Sequence, residues 1–287
     1  MDDDGIAPIL DGAVELVATG FAHAEGPLWH PNGYWLFNDV TKNLLYLFLP
    51  GDTPTVIRED TGGASGMTFD LEGRLILCEG SRRRVSRLDG DSLAVVAERF
   101  EGKRLQRPND VVCRSDGSLF FTDRGLRVAL RERELIDSGV YRLAPDGALS
   151  LVGQCEDPNG LAFTPDERTL LVANSRWTRY LLALELDGDA KLVRRRIFAD
   201  MSSDDHDGVP DGVKIDVEGR VYCAAAGGIW VFAADGRRLG VIPTPEVATN
   251  LAFGGDDLRT LMITGRTSLY AVRLRSPGLP HPWHAPR

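Results

Sequence analysis

The stretch Asn159–Ser175, NGLAFTPDERTLLVANS, consists of a short apolar run, a polar turn and a second apolar run. Apolar runs of this length, bounded by Pro, Asp and Gly, are typical of β-strands joined in a hairpin. The same arrangement returns in five further segments, which begin at Glu25, Ser65, Asn109, Asp211 and Asn250. The sequence therefore indicates one structural unit that is repeated six times.

A third apolar segment follows each hairpin, and a fourth follows five of them. The third segments read LLYLFL, RVSRLD, GVYRLA, YLLALEL, GIWVFA and SLYAVRL. Successive units begin 40, 44, 50, 52 and 39 residues apart, which is the spacing of four-stranded propeller blades. We predict an all-β fold, a six-bladed β-propeller with four strands per blade.

The two ends of the chain predict how the ring closes. The sixth unit lacks a fourth strand because the chain ends in the proline-rich segment 276–287, for which we predict an irregular tail. The spare strand AVELVATG, residues 13–20, precedes the first unit and is predicted to complete the last blade, which removes two open strand edges. No linker interrupts the units, so we predict a single domain over residues 1–287.

Each unit carries a polar residue directly before its predicted first strand. The six are Glu25, Ser65, Asn109, Asn159, Asp211 and Asn250. The first strands of a propeller line its central channel, so these side chains are predicted to form a ring at one face. Asn, Asp and Ser before a strand also satisfy turn backbone groups, which is the alternative reading of any single position.

Glu25, Asn159 and Asp211 together predict a metal site. Two carboxylates that converge in a desolvated channel repel each other, and a bound cation removes that penalty. Two carboxylates and an amide oxygen form an all-oxygen set suited to Ca²⁺, Mg²⁺ or Mn²⁺, and carboxylates also bind Zn²⁺. We predict one divalent cation, Ca²⁺ first, with Zn²⁺, Mn²⁺, Mg²⁺ or Fe²⁺ as alternatives.

Five motifs resemble the senescence-marker-protein/gluconolactonase family of six-bladed lactonases, which includes the regucalcin-like proteins. They are EGPLW (25–29), RPNDVV (107–112), DPNGLAFTPD (157–166), GVPDGVKIDVEGRVY (208–222) and TNLAFGGDDLRTLMITGRTSLY (249–270). The resemblance implies divalent-metal-dependent hydrolysis of a sugar lactone to an aldonic acid. It places the metal ligands on Glu25, Asn159 and Asp211, and the substrate contacts on Arg107 and Asn109, with Asn109 also within reach of the metal.

The expected mechanism uses the cation to polarise the lactone carbonyl and to activate water. Asp211 is the expected general base as well as a ligand, because an acidic group beside the metal can accept the proton of water. Asp123, at the end of a second strand, is a candidate for support behind the ligands, and a turn carboxylate is the equal alternative. The competing functions are an organophosphate hydrolase of the fluorophosphatase type and a non-catalytic calcium-binding or scaffold propeller.

One loop departs from the animal members of the family, which carry an acidic substrate-binding residue after the second strand of the third blade. Here the early part of that loop is basic, with Arg124, Arg127 and Arg131. The loop either meets an anionic substrate or forms a solvated lid helix, since Glu132 and Glu134 alternate with the arginines.

Charge and composition limit the partners. The formal net charge of −9 argues against nucleic acid, which needs a basic face. No apolar run approaches the ~20 residues of a membrane span.

The four cysteines form no C-x-x-C pair, which favours buried free thiols in a reducing, cytoplasmic setting. The expected partner is a small sugar lactone, and the expected assembly is a monomer or a weak homo-oligomer.

Overall fold

The computed structural model describes residues 5–203 and 206–284. Six four-stranded antiparallel sheets form a ring, which confirms the predicted six-bladed propeller. The inner strands, which line the axis, are β2 (Ala24–His30), β6 (Ala64–Phe69), β12 (Pro108–Cys113), β16 (Pro158–Phe163), β20 (Val213–Ile215) and β24 (Ala248–Gly254). The second strands are β3 (Tyr34–Asp39), β7 (Leu75–Glu79), β13 (Leu119–Asp123), β17 (Thr169–Asn174), β21 (Val221–Ala225) and β25 (Thr260–Gly265).

The third and outer strands complete the blades. The third strands are β4 (Leu44–Phe48), β8 (Arg84–Asp89), β14 (Gly139–Leu143), β18 (Tyr180–Leu186), β22 (Gly228–Phe232) and β26 (Ser268–Arg273). The outer strands are β5 (Thr55–Glu59), β9 (Ser92–Ala97), β15 (Leu149–Gln154), β19 (Leu192–Asp200), β23 (Arg238–Pro243) and β1 (Glu15–Thr19). A two-stranded hairpin, β10 (Arg99–Phe100) and β11 (Lys103–Arg104), lies between the second and third blades.

The hydrophobic core lies between neighbouring blades. All six residues of β16 are buried, whereas most of β19 is exposed. Inner strands are covered on both faces by adjacent blades, and this explains why their sequences read as continuous apolar runs. The rings of Phe120 and Phe163, from the third and fourth blades, meet edge to face with their centroids 4.9 Å apart. Such pairs stabilise the blade interface beyond the apolar area that they bury.

The N-terminal strand closes the ring as predicted. β1 pairs antiparallel with β26, with Glu15 opposite Ala271 and Thr19 opposite Ser268. The last sheet is therefore built from both ends of the chain, in the order β1-β26-β25-β24. This pairing supplies backbone partners to an edge that would otherwise be open to another chain.

The C-terminal tail crosses the face at which the inner strands end. Gly278 forms a backbone bridge with Asp216, in the turn after β20, and Trp283 packs on Phe69 with ring centroids 4.9 Å apart. Residues 285–287 of the predicted irregular tail lie outside the described residues, and Pro282–His284 form a 3-10 turn. Because the tail covers one end of the channel, the opposite face is left for the predicted site.

Short polar turns join the inner and second strands. In the turn after β6, Asp70 Oδ1 accepts the backbone N–H groups of Glu72 and Arg74, and Asp70 Oδ2 accepts Arg74 Nε at 2.7 Å. Asp216 repeats this arrangement with Arg220 after β20. Aspartate favours such turns because its carboxylate takes up backbone donors of the next residues. Among the described residues, no helix has the length and apolar character needed to cross a membrane.

Candidate active site

A cavity of about 660 Å³ opens at the face where the inner strands begin. Residues from all six blades line it, including Glu25, Ser65, Asn109, Asp211 and Thr249. Residues far apart in the chain therefore reach a common space through the symmetry of the ring. The predicted convergence of Glu25 and Asp211 is present in the structure.

The structure corrects the predicted ring in two ways. Glu25, Ser65, Asn109 and Asn159 lie inside the inner strands rather than before them, at positions where the pairing with the second strand shifts register. Such a bulge turns a side chain out of the regular alternation. In the sixth blade, the equivalent residue is Thr249 and not Asn250, because Ala24 and Ala248 occupy the same register position next to the end of the second strand.

Asn250 belongs to a second ring, one residue deeper in the channel. Its members are Gly26, Gly66, Asp110, Gly160, Gly212 and Asn250. A Cβ atom at Gly66 would lie 2.0 Å from Asp110 Oδ1, and one at Gly212 would lie 2.1 Å from Asn250 Oδ1. The glycines therefore leave the space that the two larger side chains occupy.

Glu25 is buried, with 4% of its surface exposed, and is held by two donors. Its Oε2 accepts the backbone N–H of Gly26 at 2.9 Å and Asn250 Nδ2 at 3.0 Å. Burial raises the pKa of Glu25 to about 7, against the hydrogen bonds from Asn250 and Gly26. The charge of Asp110 raises it further. The two groups that bind the Glu25 carboxylate are neutral donors, so its negative charge is not balanced by an ion pair with any described residue.

Asp211 lies just before β20 and opens onto the cavity. Burial on its other sides raises its pKa well above the usual value, and the charge of Glu25 adds to the shift. Within the described ranges, no lysine, arginine or histidine forms an ion pair with either carboxylate. The charge of Arg124 opposes the rise in the pKa of both carboxylates, but neither carboxylate is neutralised by an ion pair among the described residues.

Asn159 is buried in β16 and is not among the described residues that line the cavity. Its Nδ2 donates to Ser175 Oγ at 3.0 Å, and Ser175 Oγ donates to the carbonyl of Pro210 at 2.7 Å. This hydrogen bond engages the amide nitrogen, so the amide oxygen is the atom that a cation would use. Ser175 thus connects Asn159 to the segment that carries Asp211.

The donors fit a hard divalent cation. The described residues contain no group of three or more His, Cys, Asp and Glu side chains spaced for a metal. The candidate set instead combines two carboxylates with an amide oxygen, which is oxygen chemistry of the kind that Ca²⁺ accepts. The raised pKa values of Glu25 and Asp211 supply the physical reason, because a cation would favour their ionised forms.

Arg107 and Asn109, the residues predicted to contact substrate, both line the cavity. Asp123 is fully buried behind them and accepts the backbone N–H of Gln106 at 2.8 Å and that of Arg107 at 2.5 Å. Burial raises the pKa of Asp123 to about 6, against these two hydrogen bonds. Asp123 therefore supports the backbone at Arg107, and its partners are not the proposed metal ligands.

The basic loop after β13 contains two short 3-10 turns, Gly125–Arg127 and Leu130–Glu132, in place of a lid helix. Arg124 is buried and binds Asp157 through two nitrogens, at 2.9 and 2.6 Å. Arg127 lines the cavity, whereas the side chain of Arg131 is 87% exposed. The loop thus directs two of its three arginines toward the site.

Ser175, Asp110 and Asp157 are parts of the site that the sequence did not single out. Ser175 follows the end of β17, and Asp157 precedes Pro158 in the DPNG motif. Asp110 replaces a glycine that follows the ring residue in four other blades, and this exception is a usable signal in the aligned repeats. Ser175 carried no such signal, because its partner depends on how the fourth and fifth blades meet.

Known proteins resemble the chain over most of its length. It matches the SMP-30/Gluconolactonase/LRE-like region over residues 23–267. It is 29% identical to a gluconolactonase of Zymomonas mobilis, covering 92% of this chain and 82% of that protein. It is 30% identical to the pentonolactonase XacC of Haloferax volcanii, covering 87% and 83%.

A solved structure of a gluconolactonase is also similar to this protein. The gluconolactonase XC5397 of Xanthomonas campestris superposes with a TM-score of 0.86 at 33% identity, over 94% of this chain and 92% of that one. The match spans the inner strands of all six blades, including the segments that carry Glu25, Asn159 and Asp211. The chain belongs to the SMP-30/gluconolactonase family.

Proposed function

We propose that this protein hydrolyses a sugar lactone to the aldonic acid with one divalent cation held by Glu25, Asn159 and Asp211. The observation that carries the proposal is a pair of carboxylates, on buried Glu25 and half-buried Asp211, that face one cavity with no ion pair to either among the described residues. Gluconolactonase and pentonolactonase relatives support lactone hydrolysis. Oxygen donors favour Ca²⁺ as the resident ion.

When bound, the cation would supply Lewis-acid polarisation of the lactone carbonyl and a lower pKa for nearby water. Asp211 opens onto the cavity and is the proposed base that takes a proton from the attacking water. The water oxygen bonds to the carbonyl carbon, the ring C–O bond breaks, and the ring oxygen leaves as a hydroxyl after taking up a proton. Glu25 and Asn159 hold their oxygens in place through Asn250 and Ser175.

Arg107 and Asn109 are the proposed substrate contacts. Both reach the cavity from the segment that Asp123 fixes through the backbone of Gln106 and Arg107. A guanidinium group and a carboxamide can orient the ring hydroxyls and stabilise the oxyanion that develops during attack. Rigid support of this segment matters because small displacements of such groups reduce the rate.

The first test is metal dependence. Glucono-1,5-lactone hydrolysis should be lost after exhaustive chelation and should return when Ca²⁺, Zn²⁺, Mn²⁺ or Mg²⁺ is added singly. Asp211→Ala and Asn159→Ala should abolish activity while the circular dichroism spectrum stays β-rich. Asp91→Ala is the matched control, because Asp91 is an exposed residue between β8 and β9. An unchanged rate after chelation, or wild-type turnover by metal-saturated Asp211→Ala, would reject the mechanism.

The same preparation tests the two competing functions. A phosphotriester assayed in parallel should be cleaved more slowly than the lactone. A protein that binds metal but hydrolyses no member of a lactone panel would instead be a non-catalytic propeller.

A further inference from the structure

The rim of the cavity is strongly basic although the whole chain is acidic. Five arginines line the cavity, from three different blades: Arg107, Arg124, Arg127, Arg179 and Arg266. The carboxylates among the described lining residues are Glu25, Asp207 and Asp211. The formal net charge of the chain is −9, so this concentration of positive charge runs against its average composition.

One of the five arginines is neutralised within the protein. Arg124 is bound by Asp157 through two hydrogen bonds. The same carboxylate lies 3.9 Å from Arg127 and 3.7 Å from Arg176. Because one carboxylate faces three guanidinium groups, most of the positive charge in this cluster is not compensated by Asp157.

The other lining arginines have no carboxylate within ion-pair distance among the described residues, apart from the contact between Arg127 and Asp157. Arg179 donates to the carbonyl of Ser203 at 2.9 Å, which is a neutral partner. Arg107 is half-buried, and both burial and the charge of Arg124 lower its pKa. Arg266 is exposed at the rim. Arginine stays protonated in proteins, so these guanidinium groups keep their positive charge and attract an anion.

Glu25 and the two outermost arginines lie at different depths in the cavity. Glu25 lies at the floor with 4% of its surface exposed, whereas Arg127 and Arg266 are exposed at the mouth. With a divalent cation balancing Glu25 and Asp211, four guanidinium groups remain against the carboxylate of Asp207 among the described lining residues. A lactone with its carbonyl at the floor would place the far end of its carbon chain among these arginines.

We infer that the preferred substrate is an anionic sugar lactone, which carries a carboxylate or phosphate group at the end remote from the lactone carbonyl. Guanidinium groups bind both oxyanions through paired N–H donors. The remote anion takes no part in bond breaking and remains unchanged in the product. This inference rests on the proposed lactone hydrolysis at the same site.

The test compares lactones that differ at one carbon. Glucono-1,4-lactone and glucaro-1,4-lactone differ by a hydroxymethyl and a carboxylate group, and glucono-1,5-lactone and its 6-phosphate give the phosphate arm. Proton release is followed in a pH-stat with the metal-loaded protein. We expect kcat/KM for at least one anionic lactone to exceed that of its neutral partner by about tenfold or more, since only the anionic lactone can form charge-assisted hydrogen bonds with the arginines. A preference for glucaro-1,4-lactone would identify the anion as a carboxylate, and a preference for the 6-phosphate would identify it as a phosphate.

The second test removes positive charge from the rim and measures kcat/KM for both kinds of lactone. Arg179→Gln, Arg266→Gln and the double variant should lower kcat/KM for the anionic lactone while sparing the neutral one. Arg131→Gln is the matched control, because Arg131 is on the loop of Arg127 but its side chain points into solvent, 87% exposed. Raising the salt concentration should raise KM for the anionic lactone alone, because exposed charges are screened.

The outcomes separate the two proposals. Hydrolysis of neutral lactones at rates equal to or above the anionic ones would overturn this inference and leave lactone hydrolysis standing. Equal losses for both substrates in the arginine variants would assign the arginines to the product carboxylate that all lactones share, and would also overturn it. Failure to hydrolyse any of the four lactones would overturn the proposed function itself.

Discussion

Asn250 Nδ2 donates a hydrogen bond of 3.0 Å to Glu25 Oε2, joining the last blade to the first across 225 residues of sequence. The contact lies beside the seam where the ring closes, and both residues are buried. Asn250 is in turn held by Thr264 Oγ1, which accepts its backbone N–H at 3.0 Å. Ring closure and the orientation of a proposed metal ligand therefore depend on the same few residues.

Asn250→Ala should weaken metal binding by about 10- to 100-fold, the usual effect of removing a residue that orients a ligand. The reason is that Glu25 would lose one of its two donors and keep only the backbone N–H of Gly26. Competition with a chromophoric chelator measures the affinity. Asn32→Ala, at an exposed turn position between β2 and β3, should bind like wild type. Equal affinities for both variants would contradict a role for Asn250 in holding Glu25.

Ser175→Ala should lower both metal affinity and kcat/KM by roughly tenfold, because the Asn159 amide loses its hydrogen-bond acceptor. Ser175→Thr keeps the hydroxyl and should recover part of both losses. Calorimetry of metal binding and steady-state lactone assays give the two numbers. If alanine and threonine gave the same values, the hydroxyl would not orient Asn159.

Gly66→Ala should destabilise the protein by about 3 kcal/mol or more, at the upper end of overpacking effects. The added Cβ would lie 2.0 Å from Asp110 Oδ1 and 2.6 Å from its Cα, and a backbone atom cannot move aside cheaply. Urea denaturation measures the loss. Gly188→Ala is the control, because a Cβ there meets nothing within 4 Å. A wild-type midpoint for Gly66→Ala would show that the deeper ring is not closely packed.

The chelated protein should become less stable as the pH rises from about 4.5 to about 7. The pKa of Glu25 is raised from 4.5 to about 7 in the folded state, so the folded protein binds this proton more tightly than the unfolded chain. This contribution is complete below the unfolded pKa and is lost as the pH rises through the folded pKa, about 3 kcal/mol at most. Burial shifts Asp211 in the same direction.

Denaturation at several pH values, with and without saturating Ca²⁺, measures this dependence. Glu25→Gln removes the titrating group and should flatten the slope of the chelated protein. Metal affinity of the wild type should rise over the same pH interval, because binding must displace protons from Glu25 and Asp211. Identical slopes for wild type and Glu25→Gln would contradict the assignment.

The repeat of short apolar runs and turns was sufficient to predict six blades and the closing strand. The apolar pattern of a strand and the spacing of the units are both visible along the chain. The position of a residue within its repeat then determines which residues of the other blades it faces across the axis. Glu25 and Asp211 could be paired on this basis despite their separation in the chain. The prediction was wrong by one residue at Asn250, although the Leu-Ala-Phe run that follows both Gly160 and Asn250 aligns Thr249 with Asn159.

The sequence by itself determined the ring, its closure and the set of polar residues at one face, because each follows from periodicity along the chain. Only the tertiary structure decided which side chains reach the cavity and what holds them there. The hydrogen bonds of Asn250 to Glu25 and of Asn159 to Ser175 depend on how neighbouring blades pack, as does the neutralisation of Arg124 by Asp157. Burial and charge at a site are sums over many distant residues, and those sums exist only after the chain has folded.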